Sequence, residues 1–162
     1  RHRRRGEPSR KEVPQVLTAK QLIDAKGHQV FTVRPTQSVY EAISLMAENN
    51  IGSLLVMKEG KLVGIITERH YARNVILKGK TSPDTLVGEI MSRTVVCARP
   101  EHSVDECMDL MTRKRVRHLP VLERGKVIGL ISIGDLVKAI IDDQSFVIEQ
   151  LENYISGEKL VH

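Results

Sequence analysis

The chain has 162 residues, of which 41% are hydrophobic and 28% charged, the mixture of a globular protein with room for one ordinary domain or two small ones. It has no Trp, three Tyr and two Phe, too few aromatic rings to stack single-stranded nucleic acid, and no apolar run approaches the roughly 18 residues of a membrane-spanning helix. The net charge is +5, yet residues 1–12 hold six Arg or Lys against two Glu, so the basicity belongs to a tail and the remaining residues are close to neutral.

That tail, residues 1–16, has no apolar stretch and does not begin with Met. It does not read as a secretory signal; it reads as a truncation scar, an appended remnant or a solvated arm, and an arm for nucleic acid or anionic lipid is the less favoured alternative. Thr18 and Gln21 then form a capping box opening a helical turn, with Gly27 as its stop. From Val30 a short strand is expected up to Arg34-Pro35, where proline halts sheet and helix alike. Ser38 and Glu41 form the next capping box, and Ala42, Ile43 and Met46 supply the apolar face of its helix. Two strand-sized runs, Ser53–Met57 and Leu62–Ile66, are split by Glu59-Gly60, a hairpin signal. A helix is expected from about Glu68 to Lys78, and residues 78–85 (KGKTSPDT) read as a linker.

The pattern then recurs. Residues 30–75 align without a gap to the stretch from Val95, with 14 of 46 positions identical, where chance would supply roughly three. The counterparts are Arg99-Pro100, the Ser103/Glu106 capping box, Cys107, Met108 and Met111 on the helix face, and Arg124-Gly125 at the turn. Val87–Met91 answers to the first lead-in, and a helix is expected from about Ile133 to Asp142. Val147, Leu151, Tyr154 and Ile155 share one face of a last helix ending at Gly157, a stripe that packs on its own domain or on a second copy. Each unit is too small to bury much core alone. Two would stack, leaving a cleft between them for a ligand.

Candidate site residues follow from the junctions between strand and helix. Ser132 with Asp135 either caps the helix or holds phosphate and the two hydroxyls of a ribose. The matching Thr67 keeps the hydroxyl, but His70 replaces the carboxylate, and Arg69 and Arg73 stand one helical turn apart. The run from Arg113 to Pro120 holds four cations, so Arg117 and His118 either complement the preceding helix or face the cleft. Nucleophile elbows, Walker loops and zincin motifs are missing, and the six His have no metal-ligand spacing, so neither catalysis nor a metal is expected. Cys97 and Cys107 read as small core residues of a reducing cytoplasm.

The tandem repeat, its lead-in, Arg117-His-Leu-Pro-Val121 and Gly129-x-Ile-Ser-x-Gly-Asp135 together resemble a pair of CBS (cystathionine β-synthase) domains, a Bateman module, of the small stand-alone type. The resemblance covers about residues 17–142. It implies an α/β fold, a duplicated βαββα unit with pseudo-twofold symmetry plus a C-terminal helix. The divisions expected are a tail over 1–16, one domain over 17–79, a second over 80–142, and a C-terminal helix and tail over 143–162. It further implies an adenosine ligand in the cleft, AMP or NAD(H) first, with ADP, ATP or S-adenosylmethionine as other members of the class. By that resemblance Asp135 would hold the ribose hydroxyls and Ser132 ribose or phosphate. Val96 and Val116 would line the adenine slot, with Arg117 and His118 beside Pro120. The first-copy counterparts are Phe31, Ile51, Gly52, Thr67 and His70, with Leu55 in place of the proline. Neutral imidazole accepts at most one hydrogen bond, so the Asp135 site is expected to be the better one; Arg69, Arg73 and Arg117 would meet a second phosphate. The functional expectation is a cytoplasmic, non-catalytic sensor, homodimeric and read by an unnamed effector protein. The alternative is a ligand-free structural module, with nucleic-acid binding through the arm a distant third.

Overall fold

The computed structural model describes residues 17–160, and the expected basic tail over 1–16 lies outside the described residues. The first half runs α1 (Ala19–Lys26), β1 (Thr32–Val33), α2 (Val39–Asn49), β2 (Ser53–Lys58), β3 (Lys61–Thr67) and α3 (Glu68–Tyr71), which continues as a π-helical segment, Ala72–Ile76. The second runs α4 (Val87–Ile90), α5 (Val104–Lys114), β4 (His118–Glu123), β5 (Lys126–Ser132) and α6 (Ile133–Leu160).

Local chemistry accounts for most of these boundaries. Ser38 Oγ accepts the Glu41 N–H and Ser103 Oγ the Glu106 N–H, both at 3.1 Å. Glu106 closes its box by accepting the Ser103 N–H, whereas Glu41 accepts from Gln37 instead. The two helices bury matching faces, Val39, Ala42 and Met46 in α2 and Val104, Cys107 and Met111 in α5. Both hairpins turn on two residues with positive φ, Glu59-Gly60 and Arg124-Gly125, the geometry whose twist suits adjoining antiparallel strands. A bulge falls at the same place in each, after Val56 and after Val121. The first copy has a three-stranded sheet in the order β1-β2-β3, with β1 parallel to β2. The second copy's expected first strand contracts to a single parallel bridge, Ala98 to Val121, beside β4-β5.

The lead-in helices exchange places. Leu22 and Ile23 of α1 sit in the core of the second copy with Leu119, Ile131 and Leu136. Val87 and Ile90 of α4 sit in the core of the first. The Ala19 N–H donates to the His102 carbonyl, and the Gly88 N–H donates to the Pro35 carbonyl. Each packed unit therefore takes its lead-in from the other copy.

Glycines on β3 and β5 make room for this exchange. A Cβ on Gly129 would lie 2.5 Å from Ile23 Cδ1, and one on Gly64 would lie 2.7 Å from Met91 Sδ. Gly129→Ala is expected to cost about 1–3 kcal/mol through overpacking, because Ile23 is branched and fully buried. The check is a lower urea midpoint at unchanged slope; an unchanged midpoint would mean that α1 is not seated there.

Two helices depart from expectation. The helix after β3 is α-helical for one turn only, then widens into i→i+5 bonding, with the Leu77 N–H on the Ala72 carbonyl. The last two expected helices are one continuous α6, passing Gly157 without stopping. Nothing between Asp142 and Val147 breaks a helix, and a single glycine costs too little to end it. Its last residues packed on the second core are Leu136, Ala139 and Ile140. Beyond them Ile148, Leu151 and Ile155 are 50–57% exposed, so this stripe is not covered by its own domain; the side chains of Val147 and Tyr154 lie outside the described residues. Among the described residues no helix is long and apolar enough to cross a membrane.

Candidate ligand-binding cleft

The junction between β3 and α3 of the first copy faces the entry to β4 in the second. Between them lies a cleft of about 540 Å³, within the range of small-ligand sites. Gly52, Thr67, Arg69 and His70 line it from the first copy, and Val96, Val116, Arg117 and His118 from the second. The sequence reading expected a cleft between the copies and grouped most of these residues by copy, with Arg69 and Arg117 meeting across it; the fold brings both groups onto one cleft. Ile65 and Val95 add to the apolar wall, while Glu68, Ser92, Thr94 and Arg115 complete the polar one.

Six expected site residues are not in that lining; two of them, Phe31 and Ile51, pack against the first core instead. Pro120 is buried in β4, paired with Leu130, and its carbonyl accepts the Ala98 N–H. Arg73 is exposed on the π-helical segment, where a turn closed by i→i+5 bonds no longer stacks residues four apart as an α-helix does. Ser132 and Asp135 form a closed capping box: Asp135 Oδ2 accepts the Ser132 N–H at 2.8 Å, and Ser132 Oγ accepts the Asp135 N–H at 3.2 Å. Lys26 of α1 also donates to Asp135 Oδ2 and, at 2.7 Å, to the Leu130 carbonyl. Among the described residues both hydrogen bonds to this carboxylate end on Oδ2, which leaves Oδ1 to accept from a ligand. Asp135 opens instead on a groove of about 1000 Å³ walled by α1, α6 and the start of α5.

His70 takes the place of Asp135 in the first copy's capping box. The Thr67 N–H donates to His70 Nδ1 at 3.2 Å, and Thr67 Oγ1 accepts the His70 N–H at 3.2 Å. An imidazole nitrogen that accepts carries no proton, so the neutral ring bears its hydrogen on Nε2. Burial, then Arg69 and Arg73, lower the His70 pKa. Burial, then Lys26, do the same at His118, against an opposing pull from Asp135 and with a further push from Arg117. At Asp135 burial acts to raise the pKa, but the bonds from Lys26 and Ser132 outweigh it and hold the carboxyl below its ordinary value. Burial raises both thiols, Cys107 to about 11 with Glu106 adding to the effect, so neither is a thiolate at neutral pH.

A pH dependence follows. Folded His70 and His118 resist protons that the unfolded chain takes up near its ordinary value of 6.5, so stability is complete above that pH and falls as the solution is acidified toward 5.5. Urea midpoints at pH 7.5 and 5.5 check this, and His70→Asn with His118→Asn is expected to flatten the difference.

Lys26 and Arg115 lay outside the residues singled out by role. Arg115 stood within the cationic run that ends at His118. Lys26 gave no local signal, because its partner lies 109 residues away.

Comparison with known proteins identifies the fold. The family model described as CBS domain matches residues 19–76 and 87–142. The CBS domain-containing protein CBSX3, mitochondrial, of Arabidopsis thaliana is 41% identical over 125 residues, which cover 74% of this chain and 61% of that protein. The chain thus matches less than two thirds of that relative's length. The structure of a putative signal-transduction protein with CBS domains from Burkholderia ambifaria aligns with a TM-score of 0.76 at 52% identity, covering 79% of this chain and 96% of that one. A CBS domain pair solved in complex with 5′-methylthioadenosine and S-adenosyl-L-methionine aligns with a TM-score of 0.71 at 25% identity, covering 79% of this chain and 98% of that one.

Proposed function

Because this chain belongs to the CBS-domain family, we propose that it is a non-catalytic sensor that binds an adenine nucleotide, AMP or NAD(H), in the cleft between its two copies. The observation that carries this reading is that one cleft is walled by both copies, with apolar Val96, Val116 and Ile65 beside Thr67, Arg69 and Arg117. The valines suit the faces of a purine, and the guanidinium groups suit phosphate. Adenosine is also the group shared by the two ligands named for the structural neighbour. A ligand touching both walls favours the conformer in which they are closest, and an effector protein reads that shift in population. Ser132 and Asp135, the residues expected at the ribose, are not part of this cleft; Asp135 faces the separate groove between α1 and α6. The exposed stripe on α6, Ile148, Leu151 and Ile155, supports a homodimer, and two free cysteines support a reducing compartment such as the cytoplasm.

Calorimetric titration with AMP, ADP, ATP, NAD(H) and S-adenosylmethionine tests the reading. Saturable binding near one ligand per chain, unchanged when residues 1–12 are removed, is expected. Binding that disappears with those residues would move the site to the arm, and no binding of any adenine nucleotide would favour a ligand-free structural module.

A further inference from the structure

The N-terminal arm and the groove between α1, α6 and the start of α5 carry opposite charge. Residues 1–12 hold six Arg or Lys against two Glu. The groove, of about 1000 Å³, is lined by Asp105, Asp135, Asp142 and Asp143 against Lys26 and Lys138. Lys26 is already engaged by Asp135 and the Leu130 carbonyl, so the rest of the described lining sets three carboxylates against one cation. All three, Asp105, Asp142 and Asp143, are exposed. Leu22, Val104, Ala139 and Ile140 supply an apolar wall beside them.

The chain enters its described fold at this groove. Leu17 is part of the lining. Its carbonyl accepts the Val104 N–H at 3.0 Å, and Thr18 bridges Ser103 in antiparallel register. That register runs back along the chain toward Asp105. Val13, Pro14 and Val16 lie next to Leu17 in sequence, and Lys11 and Arg10 lie six and seven residues from it. Six extended residues reach about 20 Å, whereas Asp135 to Asp143 spans only about 12 Å of helix. Both cations can therefore reach the far acids.

We propose that residues 10–16 dock in this groove of their own chain, Val13 to Val16 along the apolar wall and Arg10 and Lys11 against Asp142 and Asp143. Exposed ion pairs are individually weak, but the short tether at Leu17 supplies an effective concentration of about 1 mM, at which a contact with a Kd of about 0.1 mM is roughly nine-tenths occupied.

Limited digestion of the full chain with trypsin, which cuts after Arg10 and Lys11 when they are accessible, tests the proposal. Asp142→Asn with Asp143→Asn is expected to speed the loss of the arm by about tenfold at low salt, the protection that such occupancy gives. The difference should vanish at about 0.5 M salt, where screening is strong, with the urea midpoint as the control for folding. A second measurement compares amide chemical shifts of the full chain with those of the chain lacking residues 1–12, which precede every described element. Shifts are expected at Val104, Asp105, Ala139, Asp142 and Asp143, and none at Thr67 or Val96 in the cleft. Equal cleavage rates in the two proteins, or groove amides unmoved by the removal, would overturn the proposal. Protection that grows with protein concentration would seat the arm on a second copy and overturn docking within one chain.

Discussion

Gly52→Phe is expected to weaken adenine-nucleotide binding by roughly 100-fold or more, about 2.7 kcal/mol, while the fold survives. Gly52 lines the cleft, and a Cβ built there meets nothing nearer than Glu68 Oε2 at 3.7 Å. Its φ lies outside the positive region, so a side chain is accepted without backbone strain. Its carbonyl keeps the bond from the Glu68 N–H, because a substitution leaves the main chain in place. The added ring therefore takes up ligand space in a cleft of about 540 Å³ rather than core space. The paired measurements are a nucleotide titration and a urea midpoint. Lost binding with an unchanged midpoint is the expected result; undiminished affinity would place the ligand elsewhere.

Ile23→Ala is expected to destabilise the protein by about 2–5 kcal/mol, the cost of removing a large side chain from a core that cannot collapse around the space. Ile23 is fully buried and packs against Gly129, whose missing Cβ admits it. The loss should be regional as well as large. Ile23 belongs to the core holding Leu119, Ile131 and Leu136, so amide exchange should accelerate in β4 and β5 more than in β2 and β3. A penalty below about 1 kcal/mol, or acceleration centred on the first copy, would contradict the exchange of lead-in helices.

The local elements were legible because their signals are local. Ser38 and Ser103 at the caps, glycines at the two-residue turns and apolar residues at helical spacing act within a few positions of themselves. The duplication was legible for a different reason: matching residues recur in order over a gap-free stretch. What remained hidden depends on contacts between distant segments. The spacing of Leu22 and Ile23 says that α1 buries a face, but not against which copy, and the lead-ins lie outside the gap-free alignment. The pairing of Lys26 with Asp135 is likewise tertiary. The cleft between the copies was expected, but not which residues share it, since Val96 and Val116 meet Thr67 and His70 only when the units stack. Arg73 was aligned with Arg69 on the assumption of an α-helix, and the π-helical turn removes that alignment. The continuity of α6 was open to reading, because residues 142–147 contain neither proline nor glycine.

Amide chemical-shift mapping of the labelled chain during titration with ADP tests the central claim most directly, since it reports binding and place together. The account predicts saturable shifts at Thr67, His70, Val96, Val116, Arg117 and His118, from both copies at one midpoint. Shifts confined to α6 or to residues 1–16, or no shifts at saturating nucleotide, would contradict it.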